Sequence, residues 1–209
     1  MKITDETFLI ADTHFGDFNS VSSHYDEYLV NNWNSVISDA DTVFILGDFV
    51  SDDGDKIVKS KLKRYSSLLK GKKFLLRGNH DMYSVNMYRD YNITIVNSDY
   101  KIVNAVSAKI NDVKILLSHY PVENIYKLMH PADNFLCNYE DPFKYHINTL
   151  NEIFINDKFD LNIHGHIHDK IKLFNKMINV SPSNINYTPI KLYDILKMNK
   201  NLTKVCQQE

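Results

Sequence analysis

The chain has 209 residues, of which 44% are apolar and 24% charged, and its formal net charge is -2. That length can bury the core of one large domain, and residues 1–209 are read as a single domain. The charge balance offers no bulk positive field for a nucleic acid, the two distant cysteines (Cys137 and Cys206) form no disulfide scaffold, and no apolar run approaches the length of a membrane span. The first residues, Met1 to Glu6, lack an apolar signal core, so a reducing, cytoplasmic setting without membrane contact is expected.

Short apolar runs alternate with amphipathic stretches along the chain. Phe8 to Ala11 reads as a buried strand ending at Asp12. Tyr25, Leu29, Trp33, Val36 and Ile37 fall at helical spacing, so Ser22 to Ser38 is predicted as a helix with Ser22 or Ser23 as its N-cap. Thr42 to Leu46 is a second strand, ending at Gly47-Asp48. A second helix carries Ile57, Leu62, Tyr65, Leu68 and Leu69 and stops at Gly71. Lys73 to Arg77 is a third strand, followed by Gly78-Asn79-His80-Asp81.

The second half changes character. Lys101 to Ile110 and Val113 to Ser118 read as a hairpin turning at Asn111-Asp112. Residues 121–143 form an irregular stretch with three prolines, then Lys144 to Phe154 reads as a helix. Asp160 to Ile163 is a strand ending at His164-Gly165-His166, and 171–174 with 177–180 form a last strand pair. Alternating βα units followed by hairpins point to an α/β sandwich with mixed sheets.

The polar residues sit at strand ends. Asp12 and His14 follow the first strand, Asp48 the second, Asn79 and His80 the third, His119 the hairpin, and His166 and His168 the next strand. Ligand sites of α/β sheets collect at such ends, where loops converge on one crevice. Taken singly, each string is weak. Asp12-x-His14 is common, and Gly47-Asp48 is more often a turn. Three histidines between His164 and His168 point more firmly to metal. Three of the six glycines (Gly47, Gly78 and Gly165) flank the proposed ligands, where a close backbone approach is needed.

Asp12-x-His14, Gly47-Asp48, Gly78-Asn79-His80-Asp81, His119 and Gly165-His166-x-His168 resemble the signature blocks of the calcineurin-like metallophosphoesterases. Asn179-Val180-Ser181 with Tyr187-Thr188-Pro189-Ile190 also resembles the tail of small bacterial and phage members. The resemblance implies a four-layer α/β/β/α sandwich with two mixed sheets and a dinuclear metal centre. Asp12, His14, Asp48 and His168 would hold one metal, and Asp48, Asn79, His119 and His166 the other, with Asp48 bridging. His80 would be the catalytic histidine and Asp81 would orient it. Two divalent cations with these ligands and a bridging hydroxide leave about one net positive charge, which suits in-line attack on a phosphate ester. Oxygen and nitrogen ligands without thiolate suit Mn²⁺, with Fe, Zn²⁺ or Ni²⁺ as alternatives.

The substrate expected is a small phosphate ester, most of all a phosphodiester of nucleotide type. No Asp-Arg-Gly follows the second motif, since Asp48 precedes Phe49-Val50-Ser51, and this disfavours the phosphoprotein phosphatases. A non-catalytic scaffold and a nuclease are the alternatives. Arg77 either meets the substrate phosphate or forms an ordinary salt bridge. The rings of 121–143 (Tyr126, His130, Phe135, Tyr139 and Phe143) form either a wall beside the metals or a cover for the core. His164 is expected to point away from His166, while His24, His130 and His146 carry no motif.

Overall fold

The computed structural model describes residues 2–17, 24–124, 143–168 and 173–205. Two five-stranded mixed sheets form the centre. The first contains β1 (Phe8–Ile10), β2 (Thr42–Ile45), β3 (Lys72–Leu75), β4 (Ile93–Ile95) and β10 (Ile190–Lys191), in the order β10-β1-β2-β3-β4. The second contains β5 (Ala105–Ile110), β6 (Val113–Ser118), β7 (Leu161–His164), β8 (Leu173–Phe174) and β9 (Met177–Asn179), in the order β5-β6-β7-β9-β8. β1 to β4 run parallel and β10 runs antiparallel to β1. In the second sheet β6, β7 and β9 are parallel, with antiparallel β5 and β8 at the edges.

Strand alternation makes the layers. Ile115 and Leu117 of β6 join the large core shared with β1, β2 and β3, while Leu116 turns to a smaller cluster with Leu150 and Phe159. One face of the second sheet therefore packs on the first sheet. The other packs on α4 (Lys144–Asn156), whose buried residues are Ile147 and Leu150. The first sheet is covered by α1 (Tyr25–Val36), through Leu29 and Trp33, and by α2 (Asp55–Leu68), through Val58, Leu62 and Tyr65. These lie three and four apart, the spacing of a single helical face. The Trp33 indole also donates to the Lys70 carbonyl at 3.0 Å, so truncating it would cost about 3–5 kcal/mol.

The hairpin turn is as predicted: Asn111 and Asp112 have φ of 48° and 67°, the paired left-handed conformation of a two-residue hairpin. The third strand ends two residues earlier than expected, because Leu76 and Arg77 already belong to the loop that enters the site. The first helix begins at Tyr25, and its expected cap, Ser22 or Ser23, lies outside the described residues. Three features have no counterpart in the sequence reading: α3 (Val85–Arg89), the strand β4, and the pair β10–α5, where α5 is Leu192–Val205. Leu192, Ile195 and Leu196 of α5 complete the core over the first sheet. Among the described residues no helix is long and apolar enough to cross a membrane.

Candidate metal centre

Because β1, β2 and β3 are parallel, as are β6 and β7, the loops after all five leave from the same edge of their sheets. Bonds at this edge stitch the sheets together. The Ala11 amide donates to the Val180 carbonyl at 3.1 Å, and the His166 amide donates to Asp12 Oδ2 at 2.8 Å. The loops are tightly wound: Asp12, His14, Asp48 and His166 have φ of 49°, 41°, 54° and 67°. A non-glycine residue in this region costs on the order of 1–3 kcal/mol. Four expected ligands share that strain, and the surrounding fold holds them in it.

Each carboxylate divides its work between its oxygens. Asp12 Oδ2 accepts from the His166 amide and from the Ser181 hydroxyl at 2.6 Å. Asp12 Oδ1 is buried with no hydrogen-bond partner among the described residues, and His168 Nε2 lies 3.7 Å from it. Asp48 Oδ1 accepts from the His80 amide at 2.9 Å. Asp48 Oδ2 stands 3.6 Å from His14 Nε2 and 3.4 Å from His119 Nε2. His14 Nε2 is likewise buried without a hydrogen-bond partner among the described residues.

His119 shows what such an arrangement is for. Its Nδ1 lies 2.9 Å from the Leu46 carbonyl, which fixes the ring proton there. Its Nε2 then presents a lone pair to Asn79 Oδ1 at 2.9 Å and to Asp48 Oδ2. Lone pairs converging on one point repel one another unless a cation lies among them. Buried, unpartnered acceptors would otherwise cost about 1–3 kcal/mol each. The donor set therefore fits divalent metal, and three overlapping groups can hold it: Asp12–His14–His168, Asp12–Asp48–His119 and His14–Asp48–His80.

The structure brings Asp12, His14, Asp48, His119 and His168 into these groups, and Asn79 joins them through His119. His166 stands beside them, its ring centroid 5.2 Å from that of His119, and belongs to none of the three. His80 was expected outside the ligand set, yet its ring lies 5.1 Å from that of His14 and it shares a group with His14 and Asp48.

Two expected residues make other contacts. Among the described residues no hydrogen bond joins Asp81 to the His80 ring. The fully buried Asp81 carboxylate accepts from the amides of Asp48 (2.6 Å), Phe49 (3.3 Å) and Gly78 (3.0 Å) and from the Tyr88 hydroxyl (3.3 Å). Arg77 neither lines the cleft described below nor forms a salt bridge among the described residues; it donates to the Tyr83 carbonyl at 2.8 Å. His164, as expected, stays out of the groups, buried with Nδ1 2.8 Å from the Gly165 carbonyl.

A model of the calcineurin-like phosphoesterases matches residues 7–170, which include every residue of the centre and its ties except Val180 and Ser181. The chain belongs to the calcineurin-like phosphoesterase family. An uncharacterized protein of Methanocaldococcus jannaschii is 29% identical over 201 residues, covering 91% of this chain and 89% of its own. The crystal structure of a protein of unknown function from Aquifex aeolicus superposes with a TM-score of 0.68 at 24% identity, covering 92% of this chain and 98% of that one. It supports the fold alone.

Close approach explains the glycines of this phosphoesterase. A Cβ on Gly78 would strike Asp48 Oδ1 and lie 2.8 Å from His119 Cε1, and one on Gly165 would strike Asp12 Oδ2 and Ala11. Any side chain there would displace the carboxylates.

Electrostatics favours the ligand forms. Burial pushes the His14 imidazole down to about 4 and that of His166 to about 3, so both are neutral, with lone pairs to give, near pH 7. Burial alone would raise the Asp12 carboxyl, but His168, His119 and the Ser181 hydroxyl outweigh it and hold it below its ordinary value. Burial lifts Asp48 to about 6, with nearby Asp81 and Asp12 adding to the lift and His119 opposing it. A buried pair of like charges of this kind is relieved by bound cations.

The centre opens into a cleft of about 650 Å³. His14, His80 and His168 form one end, and Tyr25, Pro182, Ser183 and Tyr187 form a wall. Asp12, Asp17, Ser51, Asp52, Asp53 and Ser181 complete the lining. Sequence reasoning missed this wall. Its local turn signals are Pro182 and Asn186, the latter a residue that tolerates the left-handed conformation found there. The aromatics expected from the 121–143 stretch lie outside the described residues, apart from Phe143, which stacks on Tyr120 beside His166.

Proposed function

We propose that this phosphoesterase hydrolyses a small phosphodiester of nucleotide type at a centre held by Asp12, His14, Asp48, Asn79, His119, His166 and His168. The carrying observation is Asp48 Oδ2, which faces His14 Nε2 on one side and His119 Nε2 on the other, as a bridging ligand would. A pair of divalent ions, Mn²⁺ first among them, would supply Lewis-acid stabilisation of the phosphate and an activated water when bound there. Asp12 and Asp48 would provide the anionic ligands. The second oxygen of each stays tied to backbone or hydroxyl donors, so the reacting geometry needs no reorganisation.

His80 lines the cleft, and its backbone amide is anchored on Asp48. This places an imidazole at the mouth of the centre, where it would give a proton to the departing alkoxide. Among the described residues that line the cleft there is no lysine or arginine, whereas Asp17, Asp52 and Asp53 are present. Lys61 hydrogen bonds Ser51 and Asp53 but does not itself line the cleft. Even with Asp53 paired to Lys61, the carboxylates of Asp17 and Asp52 disfavour a chain of phosphates, which argues against a nuclease. They also favour a diester, with one negative charge, over a monoester with two.

The test is hydrolysis of bis-p-nitrophenyl phosphate by the purified protein supplied with Mn²⁺. Turnover is expected. No turnover with Mn²⁺, Ni²⁺, Zn²⁺ or Fe²⁺ would leave a binding scaffold as the better reading.

A further inference from the structure

Tyr187 stands in an unusual backbone conformation. Its φ is 56° and that of Asn186 is 52°, so a bulky aromatic occupies the left-handed region immediately after a residue that tolerates it. Such a placement costs on the order of 1 kcal/mol or more and persists only where the surroundings impose it. Here the preceding turn imposes it. The Tyr187 amide donates to the Pro182 carbonyl at 2.8 Å, closing a loop built on the 3-10 turn Pro182–Asn184. The Tyr187 ring is held edge-on by Tyr25 (centroids 6.0 Å, 80°) and by Tyr28 (5.5 Å, 66°). Tyr25 and Tyr187 are half-buried and both line the cleft that contains His14, His80 and His168.

The same segment is tied to the metal centre at two points. The Ser181 hydroxyl donates to Asp12 Oδ2, and the Ser183 hydroxyl donates to the His168 carbonyl at 2.9 Å. The tyrosine wall therefore has a fixed position relative to the expected ligands.

We propose that Tyr25 and Tyr187 form a binding wall for the planar ring of a nucleoside phosphate ester whose phosphate lies at the Asp12–His14–Asp48 centre. This rests on the reading that the centre takes a phosphate ester. Three features of the cleft select the ligand. The aromatic faces favour a flat ring over an alkyl group. The Ser183 hydroxyl, which donates to the His168 carbonyl, keeps acceptor capacity for a sugar hydroxyl or base amino group. Among the described residues the lining holds no lysine or arginine, which leaves negative charge to the metal centre and suits a ligand with a single phosphate.

The test compares two diesters with one leaving group, thymidine 5′-p-nitrophenyl phosphate and methyl p-nitrophenyl phosphate, with Mn²⁺. The kcat/KM ratio is expected to favour the nucleoside ester. It should fall about ten-fold in Tyr187→Asn and be retained in Tyr187→Phe, as loss of one stacking surface implies. Because asparagine tolerates the left-handed backbone, Tyr187→Asn should keep its melting temperature within a few degrees, which separates lost recognition from lost fold. A ratio that does not change in Tyr187→Asn, or a natural protein that prefers the methyl ester, overturns the proposal. Calorimetric binding of thymidine 5′-monophosphate against inorganic phosphate, with Mn²⁺ present, is the second arm. If neither diester is hydrolysed but the nucleotide binds at least ten-fold more tightly and loses that advantage in Tyr187→Asn, the diesterase reading fails and the wall stands. If the nucleotide binds no better than phosphate, the wall is refuted.

Discussion

Asp81 Oδ2 accepts the backbone amide of Asp48 at 2.6 Å and that of Gly78 at 3.0 Å, so one buried carboxylate clamps the loops after β2 and β3. Asp81→Ala would leave these donors and the Phe49 amide without their acceptor. At about 1–3 kcal/mol for each buried unsatisfied donor, softened by relaxation, a loss of about 3–5 kcal/mol is expected in urea denaturation. Metal affinity should fall ten- to a hundred-fold although Asp81 is no ligand, because Asp48 loses its anchor. Natural metal affinity with only a rate defect would return Asp81 to a partnership with His80.

The glycines offer a sharper contrast. Gly78→Ala places a methyl group against Asp48 Oδ1 and His119 Cε1, whereas a Cβ at Gly54 meets nothing within 4 Å. Gly54 has a φ of 88°, so Gly54→Ala pays only backbone strain, about 1 kcal/mol. Gly78→Ala is expected to cost about 1–3 kcal/mol and to abolish tight Mn²⁺ binding. Melting curves and metal titration of the two variants check this. Equal metal binding would mean that the centre is looser than its distances imply.

His80 sits where ligand and proton donor are both conceivable, since it shares a group with His14 and Asp48. The proton-donor role predicts that His80→Ala keeps both metals and loses about 10²–10⁴-fold in kcat. Asp48→Asn should instead lower metal occupancy, measured by elemental analysis after dialysis. Loss of one equivalent of metal in His80→Ala would make His80 a ligand.

Much of this is legible in the sequence. Apolar runs that end in Asp12, Asp48 or His119 announce buried strands whose loops carry the site, because a strand that is apolar on both faces lies inside a covered sheet. What stayed hidden has physical causes. β4 and β10 have three and two residues, too short to show a period. Three of the Asp81 bonds go to backbone amides, which every residue owns, so the motif could not say which atoms it would meet. The Tyr25–Tyr187 contact joins α1 to a loop near the other end of the chain, and tyrosine carries no turn signal of its own.

His164 supplies a test that separates burial from metal ligation. Its imidazole is fully buried, and desolvation lowers it from 6.5 to about 4, against partial support from the Gly165 carbonyl and Asp12. A folded-state value below the unfolded one means that the unfolded chain takes up the proton first. Stability from this group is complete above pH 6.5 and drains away as the pH falls towards 4, at up to about 1.4 kcal/mol per pH unit. Asp48, shifted upwards, contributes with the opposite sign between about 6 and 3.8, but it is common to both proteins in a comparison with His164→Asn. In chelator-treated samples, urea denaturation at pH 7, 6 and 5 should show the variant losing less stability than the natural protein with each step. Parallel losses would mean that His164 is protonated as easily in the fold as in the free chain, and so is not sealed in the core.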